Sequence, residues 1–242
     1  MNQTEIWLTK IFNDNLAGLG NSVLSIVGLP TAPRPWTNFI SMELLVVLII
    51  VVVFAVLRAG LSVANPGKFQ QTFELIYEFI SGQAEDLVGH AGQRYVAFFG
   101  VLFLFVLFAN LIGLLPGFTP PTGNLGTTLG LGVVSFLVYN YLGFREHGVG
   151  YLKHFIGPVM WLAPLMAVVE VLSHVFRPVS LAIRLFGNMF ADHLVLGIFT
   201  DLTKLVIPVA FYVLGAFVCV LQAFVFTILS TVYIALAVAH DH

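Results

Sequence analysis

The chain has 242 residues, of which 59% are hydrophobic and 9% charged, with a net charge of −2. Soluble domains carry about 25% charged residues, and no soluble core of this length buries so large an apolar share, so the chain reads as an integral membrane protein. The near-neutral charge excludes a nucleic-acid footprint. The single cysteine, Cys219, sits in an apolar run and forms no internal disulfide.

The N-terminus has no basic region leading into an apolar one, so no cleavable signal peptide is expected. Residues 1–39 are expected to be an extracytoplasmic segment, and residues 40–242 a single membrane domain. A helical span needs about 20 mainly apolar residues. The first candidate runs from Ile40 to Leu57 and is rich in Val, Ile and Leu. Residues 69–90 differ. Over Phe69–Val88 they mix Glu74, Glu78, Glu85 and Asp86 with Phe73, Leu75, Ile76, Phe79 and Ile80. That pattern reads as an amphipathic helix on the membrane surface, or as a short hairpin dipping into it. A second span covers Tyr95–Leu115. A turn containing Pro116, Pro120 and Pro121 leads to a third, Leu125–Phe144. A long apolar run, Gly157–Phe199, follows, and a final helix covers Leu205–Ala239. The expected fold class is an all-α membrane protein of about five transmembrane helices.

Lys and Arg orient the chain. Residues 58–94 hold Arg58, Lys68 and Arg94, the turn at 116–124 holds none, and residues 145–156 hold Arg145 and Lys153. The positive-inside rule then puts the first and third of these loops in the cytoplasm and the N-terminus outside. The 43 residues of the long run reach roughly 65 Å as a helix, about twice the hydrocarbon thickness. No loop chemistry divides the run, and Pro178 is tolerated as a kink. One long, tilted helix over 157–199 follows, with a cytoplasmic C-terminus.

On a helical wheel with Glu170 at zero, His174, Arg177, Arg184, Asn188 and Asp192 join it within a sector about 80° wide. His193 falls near 140°. Such a line suits a bundle interior or an aqueous cavity. On the final helix Gly215, Cys219, Gln222, Ser230 and Tyr233 share a sector about as wide, and Gln222 is expected to face the Arg184 region. Interhelical hydrogen bonding, at about 0.6–2 kcal/mol each, accounts equally well for Asn188, Gln222 or Ser230 alone. Arg177 reads first as a side chain snorkelling to an interface. Glu170 and His174, four apart, are either a mutually satisfying pair or proton carriers. Arg184 is different, because its charge is permanent and costly at membrane depth.

The run PVSLAIRLFGNMFADH, residues 178–193, resembles the signature of subunit a of the F-type ATP synthases. LQAFVFTILSTVYIALAVAH at 221–240, NPGKFQQTFELIYEFI at 65–80 and NLIGLLPGFTPPTGNLGTT at 110–128 are similar to that family as well. The resemblance covers nearly the whole chain beyond residue 35. It implies a non-catalytic stator subunit that faces a ring of c subunits and couples proton flow through two offset half-channels to ring rotation and ATP synthesis. The family's essential arginine maps onto Arg184, facing the ring carboxylate, and its facing glutamine onto Gln222. Its half-channel residues map onto Glu170, Asn188, Asp192 and His193, with His174, Ser230 and Tyr233 as further candidates. Some members carry Glu at the position of His193 and His at that of Gly215, so here a histidine is expected opposite a glycine. The implied partners are the c-ring, peripheral-stalk b subunits, the remaining ATP synthase subunits, membrane lipid and translocated H+. No cofactor or metal is implied. The implied location is a bacterial plasma membrane.

Two other classes compete. A proton- or cation-coupled secondary transporter would show inverted repeats with broken helices, and the sequence contains neither. A metalloenzyme could use Glu170, His174 and His193, but the HExxH pattern is missing and the wheel turns His193 away.

Overall fold

The computed structural model describes residues 5–26, 28–63, 65–115, 117–148, 150–151, 163–202 and 206–238. Among these residues all regular structure is helical. The α-helices are α1 (Trp7–Ile26), α2 (Asn38–Ala59), α3 (Lys68–Val88), α4 (Val96–Leu111), α5 (Leu125–His147), α6 (Ala163–Leu202) and α7 (Val206–Val238). Short 3-10 turns at His90–Tyr95, Ile112–Leu114 and Pro121–Gly123 flank α4 and lead into α5. Five stretches are long and apolar enough to cross a membrane: Asn38–Ala59, Gly92–Leu114, Leu125–His147, Leu165–Thr200 and Pro208–Val238.

Local chemistry sets the helix ends. Thr37 caps α2 by accepting from the Ile40 N–H at 3.4 Å, and Asn124 caps α5 by accepting from the Gly126 N–H at 2.7 Å. α5 outruns the expected span by three residues, because Arg145 and His147 in its last turn suit the negative end of the helix dipole. It stops at Gly148, whose φ of 57° costs a glycine little. α3 likewise stops at Gly89, with φ of 77°.

The helix α1 has no counterpart in the sequence-based expectation. Its polar residues are bonded to the chain that follows it. The Asn13 side chain donates to the Trp36 carbonyl at 3.1 Å and accepts from the Trp36 N–H at 3.0 Å. The helix kinks at Leu16, whose carbonyl accepts from the Trp36 indole at 2.9 Å. Arg34 pairs with Glu5. Ile6 and Leu8 pack against Met42, Val46, Ala109 and Ile112. Tertiary hydrogen bonds of this kind leave no periodic trace in a sequence.

α3 is one continuous helix, so the hairpin reading of 69–88 is set aside. Phe73, Ile76, Ile80 and Ala84 recur at helical spacing and pack into the main core, while Glu74, Glu78, Glu85 and Asp86 are exposed. That core also takes Phe99 and Phe103 from α4, Tyr139 from α5, Leu181, Leu185 and Met189 from α6, and Cys219 and Phe226 from α7.

α6 runs unbroken through 40 residues, roughly 60 Å, and residues 157–162 of the expected helix lie outside the described ones. Pro178 has no N–H to give the His174 carbonyl four residues earlier. Tyr139 of α5 donates its hydroxyl to that carbonyl at 3.4 Å. Gly132, two turns before Tyr139, allows the contact, since a Cβ there would lie 2.7 Å from the Pro178 carbonyl oxygen. The proline is therefore absorbed by α5 and no break results.

Candidate ion path along α6 and α7

The polar residues of α6 lie at the edge of its buried face. On the wheel used above, the buried residues Leu181, Ala182, Leu185, Met189 and Leu196 fall roughly between 20° and 120°. His174 and Asp192 sit at the inner margin of that sector, while Arg184, near 320°, lies outside it. One edge of the polar line turns into the bundle and the other turns out.

At the Glu170 end the polar side chains find several partners. Glu170 pairs with Arg177, Oε1 to Nη2 at 3.6 Å. His174 is buried, and its Nε2 lies 2.9 Å from Asn140 Oδ1 of α5. Arg177 has two partners inside the bundle. Its side chain is 24% exposed and its guanidinium lies 5.6 Å from the centre of the Tyr233 ring on α7. Tyr139 packs between them, its ring centre 5.0 Å from that of His174 and 6.0 Å from that of Tyr233. Beyond α5, burial pushes the Tyr151 hydroxyl above the ordinary tyrosine range, against the opposing pull of the Arg177 charge. Ser230 is fully buried and accepts from the Ser135 hydroxyl at 2.9 Å, a link that holds α5 to α7.

Arg184 is exposed and forms no ion pair with the described residues. It stands near the midpoint of the Leu165–Thr200 stretch. Exposed apolar side chains occur in the same two spans: Ile183 and Phe190 on α6, and Val213, Phe217 and Val220 on α7. Gln222 is buried on α7, and no hydrogen bond joins it to Arg184 among the described residues. Asn188 is half-buried one turn beyond the arginine.

Further along, adjacent residues part company. Asp192 faces α7. A Cβ built on Gly215 would lie 2.8 Å from Asp192 Oδ2 and 3.0 Å from Leu114 Cδ2. The aspartate, not His193, therefore occupies the space the glycine leaves. Neighbours on a helix point about 100° apart, so only one of the two can face Gly215. His193 turns toward the 3-10 turns after α4, where its ring bonds the Gly113 backbone. It lines a cavity of about 250 Å³ with Phe39, Thr119, Pro120 and Gly123. Its Nε2 and Thr119 Oγ1 are shielded and have no partner among the described residues.

Sequence reasoning passed over several polar residues that organise this region. Asn110, fully buried in α4, accepts from the Thr122 hydroxyl at 2.7 Å and donates to the Cys219 carbonyl at 3.4 Å, joining the 3-10 turn to α7. Asn140 holds His174. Lone amides inside apolar runs were the available signal. Among the described residues no three His, Cys, Asp or Glu side chains come together as metal ligands. The terminal residues His240, Asp241 and His242 lie outside the described ones.

The sequence profile of the ATP synthase A chain family matches residues 39–235. ATP synthase subunit a of Solibacter usitatus is 52% identical over 233 residues, covering 96% of this chain and all of that protein. The corresponding subunit of Bdellovibrio bacteriovorus is 54% identical over 186 residues, 76% of this chain and 81% of that one. That of Koribacter versatilis is 42% identical over 241 residues, 98% of each. With a multi-pass helical fold and relatives of this similarity along nearly its whole length, the chain belongs to the ATP synthase A chain family.

Proposed function

We propose that this protein is the non-catalytic stator subunit of a rotary ATP synthase in a bacterial plasma membrane. It passes protons to and from a ring of c subunits through two offset half-channels. The N-terminus is outside and the C-terminus cytoplasmic. Peripheral-stalk b subunits and the rest of the complex hold it in place.

The observation that carries this reading is Arg184: a permanent cation at mid-span of an apolar stretch, turned outward and unpaired among the described residues. Lipid cannot host such a group cheaply. A partner that presents a carboxylate at the same depth can. A carboxyl on a rotating ring crosses lipid only when neutral, because an ionised one is expensive there. On meeting Arg184 its ionised form is favoured and its proton departs. The same fixed charge repels protons that would otherwise pass straight from one half-channel to the other. Lysine is a poor substitute, since a buried lysine sheds its charge. On this reading Asp192, His193 and Asn188 belong to one half-channel and Glu170 to the other. Gln222 supports the arginine from α7. Tyr233 acts through Arg177, and His174 and Ser230 position helices. The driving force is about 2.3 kcal/mol per proton per 100 mV.

The test is ATP synthesis and passive proton flux by the whole complex in vesicles. Arg184→Ala should lower synthesis by more than about hundredfold, ~2.7 kcal/mol on the barrier, and should leak protons. Arg184→Lys should synthesise poorly and leak less. Near-parent synthesis by the alanine variant overturns the reading.

A further inference from the structure

Glu43 is a carboxylate inside a membrane-crossing helix that the path above does not use. It stands in α2, half-buried, and accepts a hydrogen bond of 2.6 Å from Thr127 Oγ1 of α5. It lines a cavity of about 500 Å³ between α2, α4 and α5, together with Thr37, Asn124 and Thr127. Ionisable groups inside spans are rare and mark ion pathways more often than they merely tie helices together. One hydroxyl satisfies only part of an ionised carboxylate, which has about four acceptor sites, and the rest remain available to the cavity.

A second observation connects Glu43 with His193. Phe39, one turn before Glu43, lines this cavity and the smaller His193 cavity as well. Beyond Phe39 lie the two shielded atoms without partners among the described residues, Thr119 Oγ1 and His193 Nε2. Two cavities with polar groups in their walls thus share one aromatic side chain. Both caps, Thr37 and Asn124, stand at the rim of the larger cavity, at the end of the bundle where α2 and α5 begin. The Lys/Arg count places that end outside the cytoplasm.

We propose that Glu43 is the outermost proton-collecting group of the extracytoplasmic half-channel, and that Phe39 is the partition between its vestibule and the His193 cavity. This rests on the half-channel reading above. The carboxylate takes a proton from bulk water and gives it to water on the His193 side, so it returns to its ionised form with each passage. Its charge raises the proton concentration at the mouth. The aromatic wall admits a chain of single waters and excludes hydrated ions.

Two measurements test this on the whole complex in vesicles. First, Glu43→Gln retains an acceptor for Thr127 but not the charge, and should lower proton-driven ATP synthesis on the order of tenfold. Glu43→Leu should fall at least as far. Parent rates for both, in a preparation where Arg184→Ala is inactive, overturn this proposal and leave the function standing. An active Arg184→Ala defeats the function itself. Second, Phe39→Cys should react with a membrane-impermeant, charged thiol reagent added from the extracytoplasmic side, and proton flux should stop once it has reacted. A thiol that stays unreactive from that side, or that reacts without loss of flux, removes Phe39 from the path.

Discussion

Residue identity decides two features of the proposed path. The first is Arg184, discussed above. The second is the exchange of positions around Gly215, where a glycine leaves room for the carboxylate of Asp192. We expect Gly215→Val to push Asp192 aside and to slow proton flux on the order of tenfold, ~1.4 kcal/mol on the barrier. Since the displaced atoms are the free end of a side chain, the complex should still assemble. Asp192→Asn should slow transport similarly without the steric change. Proton flux into vesicles measures both variants, with co-purification of the c subunits as the assembly control. If Gly215→Val transports at the parent rate, the place of the Asp192 carboxylate is immaterial to the path.

At the scale of the helix, α6 owes its continuity to α5. Pro178 leaves a carbonyl without a donor, and Tyr139 supplies one from across the interface. Tyr139→Phe removes that hydroxyl alone, and should destabilise the protein by about 1 kcal/mol, the usual cost of a buried acceptor left unpaired. Thermal melting of the purified complex reads the loss. A variant that melts as the parent does would show that the carbonyl is satisfied in another way. The ring itself stays, so the packing against His174 and Tyr233 stays too. The same junction brings Arg177 over Tyr233 and next to Glu170, and so couples the α5–α6 contact at Pro178 to the polar cluster at that end.

At the scale of the whole molecule, the distribution of Lys and Arg bears on which face meets which side of the membrane. With five crossings, the positive-inside rule leads us to expect the basic loops at 58–94 and 145–156 in the cytoplasm. A single crossing by α6 then puts Lys153 and Lys204 on opposite sides. Cysteines introduced at the two positions in turn should therefore label from opposite faces of sealed vesicles. Labelling from the same face would mean that the long run crosses twice, which the unbroken α6 of 40 residues opposes.

Much of this protein was legible in the linear sequence, for a physical reason. A bilayer demands runs of about 20 apolar residues whose backbone bonds are internal, so spans announce themselves without any tertiary contact. The five crossings, the amphipathic α3 and the unusual Arg184 all follow from that demand. Helical periodicity also brought the polar residues of α6 to one side. It could not say which edge of that side is covered, because covering depends on where α5 and α7 lie. Only the packed bundle decided that Arg184 turns outward while His174 turns in. Only packing set Arg177 beside Glu170, and Asp192, not its neighbour, against Gly215. The packing of α1 and the cavity beside Glu43 arise from contacts between distant segments. Such contacts are specific hydrogen bonds and close approaches at single residues, and no period in the sequence records them.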